Sequence, residues 1–326
     1  MKLIGLEEHF ATDAILAAWN RLPPEWQDPS HAQSQAPMVD RLRTFGADRL
    51  AAMDAAGLDR AILSLTAPGT QSLLPDEAVS LARDANDLLA EAVAVHPDRL
   101  GGFATLPTPA PDAAARELSR AVTTLGLDGA MLFGRTRAVN ADDPSMWPIY
   151  EAAAHHRAPL YLHPQAPLPA VSDALYAGFG EPIDTGFATF GIGWHYETGV
   201  QVLRMILAGV FDRFPDLQLI TGHWGEAVLF YLDRIDNMTE LAKLKRRPSE
   251  YFRDHVSVTG SGIWSQRYLR WALELLGPER LLFSTDYPYR FEPDGTARRF
   301  LAELPEPVQE AIGHGNWERL VAAIRR

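Results

Sequence analysis

Glu7 and His9 stand two residues apart at the end of an apolar run that begins at Lys2, and His163 closes a second run at Leu162-His163-Pro164. His223 lies in Gly222-His223-Trp224-Gly225-Glu226 after a third run, and Asp286 in Ser284-Thr285-Asp286-Tyr287-Pro288 after a fourth. All four stretches carry an imidazole or a carboxylate, the oxygen and nitrogen donors that bind divalent cations. One histidine after a strand is ordinarily a packing or capping residue. Recurrence at four strand ends points instead to one shared site, because parallel α/β proteins assemble their chemistry from distant sequence at the carboxyl ends of strands. The spacing of two puts Glu7 and His9 on one face of a strand and turns Glu8 the other way. Together Glu7, His9, His163, His223 and Asp286 form an N3O2 set for one zinc, manganese or iron ion, with room for water or substrate. An open position means catalysis rather than structure.

The rest of the charge inventory narrows this. Lysine occurs only at positions 2, 243 and 245, none at a strand end where it could bridge two metals, so a carbamate-bridged pair of ions is not expected. Glu226 and Arg234 follow His223 by three and eleven residues and share one face of an expected helix, although an Arg paired with Asp236 on the surface is the plain alternative. Of the remaining histidines, His155 and His156 read as a helix end, His96 as a helix cap and His255 as the bottom of a strand. His195 is open between pocket and loop packing, and His31 and His314 carry no assignment.

The elements that must position these donors are eight strand-length apolar runs, near residues 2–6, 60–65, 101–106, 129–133, 159–162, 217–221, 255–259 and 280–284. They lack apolar–polar alternation, as strands covered on both faces do. Helix-period segments lie between them at residues 41–56, 76–95, 112–125, 198–214 and 226–245, punctuated by Gly57, Pro97 and Pro111. Eight alternations predict a (β/α)8 TIM barrel, ahead of an open doubly wound sheet, whose Gly-rich phosphate loop is missing after the first strand. Residues 23–40 and 165–195, the latter rich in aromatics, break the alternation and are expected as loop insertions on the C-terminal face, over the substrate. Without a repeat or linker, residues 1–326 are read as a single barrel domain.

A chain of 326 residues with 47% apolar content can bury a large core. Its net charge of −12 excludes nucleic acid or an anionic membrane as the main partner, leaving a small molecule. The absence of cysteine excludes thiolate and disulfide chemistry. No signal-peptide pattern and no run of ~18 apolar residues is present, so a cytoplasmic protein is expected.

The order Glu-x-His, His-Pro, Gly-His-x-Gly-Glu and Asp before Tyr-Pro resembles the amidohydrolase superfamily. Leu6-Glu7-Glu8-His9-Phe10, Met53-Asp54-Ala55-Ala56-Gly57, Phe103-Ala104-Thr105-Leu106-Pro107 and Ala208 to Pro215 narrow the resemblance to its hydroxybenzoate decarboxylase branch, related to aminocarboxymuconate-semialdehyde decarboxylase. The resemblance implies a distorted (β/α)8 TIM barrel with one Mn²⁺ or Zn²⁺ at Glu7, His9, His163 and Asp286, with His223 a ligand or neighbour, and no organic cofactor. It implies catalytic roles for Asp286 and His223, support of the centre by Glu226 and engagement of a small aromatic acid by Arg234. It further implies a homodimer or homotetramer. Trp224 and Trp194-His195-Tyr196 depart from the smaller or less polar residues of some relatives. The activity expected is non-oxidative decarboxylation of an ortho-hydroxy aromatic acid. Metal-dependent hydrolysis of a lactone or related ring is the alternative, and a non-catalytic metal or ligand sensor a third reading.

Overall fold

The computed structural model describes residues 1–326, with side chains throughout except at residues 32 and 33. Strands β1 (Ile4–Phe10), β2 (Arg60–Leu65) and β3 (Leu100–Gly102) form one parallel ladder. A second runs through β4 (Ala104–Thr105), β5 (Ala130–Phe133), β6 (Leu160–His163), β7 (Leu219–Thr221) and β8 (Val256–Val258). Only Phe103 separates β3 from β4, and its N–H still reaches the Leu63 carbonyl at 2.8 Å, so the two are one interrupted strand. Residues 281–287 close the ring. Val258 bridges Leu281 and Glu8 bridges Tyr287, while the Leu6 N–H bonds the Phe283 carbonyl (3.0 Å) and the His9 N–H that of Tyr287 (2.7 Å). The fold is therefore the expected distorted (β/α)8 barrel rather than an open sheet.

Strand side chains alternate between two cores, which is why the sequence shows uninterrupted apolar runs. Met131, Phe133, Tyr161 and Ile220 fill the barrel interior, and Ala130, Leu132, Leu160, Leu162 and Leu219 pack outward against helices. Trp317, from the helix Asn316–Ala322, joins the inner cluster and meets Phe103 edge-on at 5.4 Å. In β1 the inner residues Ile4 and Leu6 would, by simple alternation, aim Glu8 inward. A bulge between Gly5 and Glu8 resets the parity, so that Glu7 and His9 face the interior.

Helix Pro111–Thr123 starts at the expected proline, Pro75–Val95 stops short of Pro97 as expected, and Ala47–Ala56 ends on Gly57 at φ 76°. Three expected helices change. The one expected over 41–56 is two, Met38–Leu42 and Ala47–Ala56, because Phe45 between them turns in to pack on Phe10 at 5.1 Å. The one expected over 198–214 begins earlier, as Gly193–Leu207, and stops before Gly209, whose φ is 74°. The stretch 226–245 is not one helix but short turns, Val228–Tyr231, Leu232–Ile235 and Asp236–Met238. Among the described residues, no helix is long and apolar enough to cross a membrane.

Candidate metal centre

At the C-terminal mouth of the barrel one ligand atom each from Glu7, His9, His163 and Asp286 lies within 4.8 Å of the others. His163 Nε2 stands 3.1 Å from Glu7 Oε1, and His9 Nε2 3.4 Å from Asp286 Oδ1. Glu7 Oε1 and His9 Nε2 are buried without a hydrogen-bond partner. One buried and one partly buried carboxylate gathered with two imidazoles make a donor set suited to a divalent ion, so the residues fit the metal.

The opposite edges of Glu7, His163 and His9 are tied to the protein, which decides which atom each turns toward the centre. Glu7 Oε2 accepts from the Tyr161 hydroxyl (2.6 Å), from Ser261 Oγ and from Thr259 Oγ1 (3.5 Å), leaving Oε1 free. His163 Nδ1 donates to the Pro164 carbonyl at 2.8 Å, and His9 Nδ1 pairs with Ser64 Oγ at 3.3 Å, so each presents Nε2. Glu8, turned away as its spacing requires, accepts from the N–H (2.8 Å) and the Oγ1 (2.6 Å) of Thr285. It thereby fastens the residue preceding Asp286 to β1. Gly222 is held to a bare Cα because a Cβ there would lie 2.6 Å from Ser261 Oγ and 3.0 Å from Glu7 Oε2.

His223 sits beside this set rather than within it, its Nδ1 4.0 Å from Glu7 Oε1 and 2.9 Å from Glu226 Oε1. His195, left open by the sequence, joins it, with Nδ1 2.8 Å from Glu226 Oε2. The backbone that makes this possible is unusual: His223, Trp224, Gly225, Glu226 and Ala227 all have positive φ, between 48° and 85°. Such strain persists only where the surroundings enforce it. Here the His223 N–H bonds Ser261 Oγ (2.8 Å) and the Trp224 N–H the Thr259 carbonyl (2.9 Å).

Burial opposes charge at each of these groups, and neighbours decide the outcome. At Glu7 burial is overcome by the neighbouring imidazoles of His223, His163 and His9, so its carboxyl falls well below the usual range. Asp286 goes the other way, pushed well above its usual value by burial and by Glu7. His9 is driven down by burial and by His163. At His223 burial is outweighed by Glu226 and Glu7, which raise it to about 10.

Of the expected residues, Glu7, His9, His163 and Asp286 come together, with His223 and Glu226 adjoining. Arg234 does not. The broken helix leaves it exposed on Leu232–Ile235, away from the cavity wall. Tyr161, Thr259, Ser261 and Ser64 escaped the sequence reading. Tyr161 alone had a signal, two residues before His163 on the same strand face. The centre opens into a cavity of about 460 Å³ walled by Thr66, Phe190, Trp194, Ile263, Tyr289 and Arg290 among others. Both insertions contribute to it, through Ser30 and Met38 and through Phe190 and Trp194. Phe179 stays exposed outside it.

A model of the amidohydrolase family matches residues 9–322. The chain belongs to that family. This amidohydrolase is 36% identical over 332 residues to the γ-resorcylate decarboxylase of Polaromonas sp., covering 97% of each chain. The crystal structure of 5-carboxyvanillate decarboxylase from Sphingomonas paucimobilis superposes with a TM-score of 0.90 at 35% identity, over 99% of each chain. A dihydroxybenzoic acid decarboxylase from Polaromonas sp., with bound manganese and the inhibitor 2-nitroresorcinol, superposes at 0.86 with 33% identity, over 100% of this amidohydrolase and 98% of that chain.

Proposed function

We propose that the chain catalyses metal-dependent, non-oxidative decarboxylation of an ortho-hydroxy aromatic carboxylic acid of the hydroxybenzoate type, making it a carboxy-lyase. The observation that carries this reading is the convergence of Glu7, His9, His163 and Asp286 on the floor of an aromatic-walled cavity of a size for a substituted benzoate. The decarboxylase activities of its relatives support it. Glu7, His9, His163 and Asp286 would hold one Mn²⁺ or Zn²⁺, with His223 at its edge. When bound, the ion supplies a Lewis acid for the carboxylate and phenolate oxygens of the substrate.

The residues of the chain do the rest. Asp286, the carboxylate of the ligand set that lines the cavity, is placed to carry a proton to the substrate. It gives that proton to the ring carbon bearing the carboxylate, breaking aromaticity there. The bond to the carboxylate then cleaves, its electron pair returns to the ring, CO₂ leaves and the phenol keeps the proton. Asp286 recovers a proton from water. Protonating an aromatic carbon is the costly event, so rate must come from placement and preorganised charge. His223, held by Glu226, is placed to engage the substrate, while Phe190 and Trp194 cover the ring and exclude water. Arg234 stays outside this mechanism because it does not line the cavity.

The same proposal takes residues 1–326 as one functional unit, cytoplasmic in keeping with its cysteine-free sequence. It assembles as a dimer or tetramer, for which exposed Phe179, Ile183, Phe230 and Tyr231 offer apolar surface. Light scattering and cell fractionation test those two points. The activity is tested by incubating manganese-loaded protein with 2,6-dihydroxybenzoate and related salicylates and following CO₂ and phenol, then repeating with lactones and following acid release. Phenol and CO₂ in equal amounts support the proposal. Acid release from a lactone without decarboxylation replaces it with the hydrolase reading, and metal binding without any turnover with that of a sensor.

A further inference from the structure

The buried carboxylate of Glu226 is gripped from both sides. Oε1 faces His223 Nδ1 at 2.9 Å and Oε2 faces His195 Nδ1 at 2.8 Å. The other nitrogen of His195, Nε2, receives the indole N–H of Trp194 at 2.9 Å. An indole N–H can only donate, so Nε2 must present a lone pair and the ring proton must sit on Nδ1. His195 is thus held neutral as its Nδ1–H tautomer and donates to Glu226. A neutral donor orients the carboxylate and leaves its negative charge for His223.

The backbone is built for this contact. Gly199, one turn further along the helix that carries His195, faces the main chain of Glu226, where a Cβ would lie 2.3 Å from the Glu226 carbonyl oxygen. The close approach brings the His195 and His223 rings to 4.4 Å between centroids. Glu226 itself sits in the left-handed turn at φ 52°, so its carboxylate direction is set by these partners rather than by a regular helix.

We propose that His195, locked by Trp194, is a positioning residue that fixes the rotation of Glu226, and through it aims His223 into the substrate cavity. Its role in turnover rests on the decarboxylase reading, whereas its tautomer does not. His195→Leu fills the space without a donor. His195→Asn places an N–H near the position of Nδ1. With manganese-loaded enzyme and 2,6-dihydroxybenzoate, His195→Leu lowers kcat by about ten- to a hundredfold with metal content unchanged. The acid limb of its kcat–pH profile moves up, because ionised Glu226 has lost a donor. His195→Asn restores both kcat and the profile. Equal losses in the two variants with unmoved profiles, or a His195→Leu kcat within twofold of wild type, overturn the proposal. Long-range ¹H–¹⁵N spectra of zinc-loaded protein supply a readout free of turnover. They show His195 as the Nδ1–H tautomer, and mixed tautomers in Trp194→Phe. An Nε2–H or doubly protonated His195 in the wild type overturns the arrangement, whether or not CO₂ is released.

Discussion

Replacing Tyr161 by Phe isolates the support of the metal centre from the centre itself. The ring stays in the barrel interior, where it meets Phe103 at 5.9 Å, and only the hydroxyl 2.6 Å from Glu7 Oε2 is lost. Thr259, which also bonds that hydroxyl at 2.8 Å, keeps Ser261 Oγ at 3.2 Å, so the deletion orphans no second group. A hydrogen bond to a charged group contributes about 1.5–3 kcal/mol. At about 1.4 kcal/mol per tenfold, that is roughly a ten- to hundredfold loss of affinity if the hydroxyl acts through Glu7, in line with other outer-shell partners of metal ligands. Isothermal titration of metal-stripped Tyr161→Phe with Mn²⁺ measures it, with circular dichroism as the check on folding. A folded variant that binds manganese within twofold of wild type would refute the claim that the hydroxyl sets the free edge of Glu7.

Other outcomes follow from the same geometry. Asp286→Asn keeps a ligating oxygen and its metal but loses at least about a hundredfold in kcat, the scale of a lost general acid; atomic emission and CO₂ release measure the two together. Gly222→Ala sets a methyl against Glu7 and Ser261, and its Mn²⁺ affinity falls in titration. Adding Mn²⁺ to stripped wild-type protein at a hundred times its Kd stabilises the fold by about 2.7 kcal/mol, read as a rise in melting temperature that the chelator reverses. Trp317→Ala empties one end of the barrel interior and costs about 3–5 kcal/mol in denaturant unfolding, provided unfolding stays reversible.

The strands and the clustering of Glu7, His9, His163 and Asp286 were legible because buried parallel strands read as apolar runs and side chains able to do chemistry gather at their ends. What escaped lies where tertiary contacts override local pattern. The bulge in β1 leaves no mark beyond Gly5, where a Cβ would run into the Glu8 carboxylate. Residues 226–245 have helical periodicity, yet the turn from His223 to Ala227 is left-handed because Thr259 and Ser261 hold its N–H groups and Glu226 joins two histidines. That same turn removes the premise on which Arg234 was expected beside Glu226. His195 could not be assigned from sequence, since its partner is thirty-one residues away and met only through a helix packed at Gly199.

The account stands most directly on titrating Mn²⁺ into metal-stripped protein while CO₂ release from 2,6-dihydroxybenzoate is followed in the same samples. It predicts no turnover in stripped protein and activity rising linearly to a break at one ion per chain. Full activity without metal, or a break at two ions per chain, would contradict it.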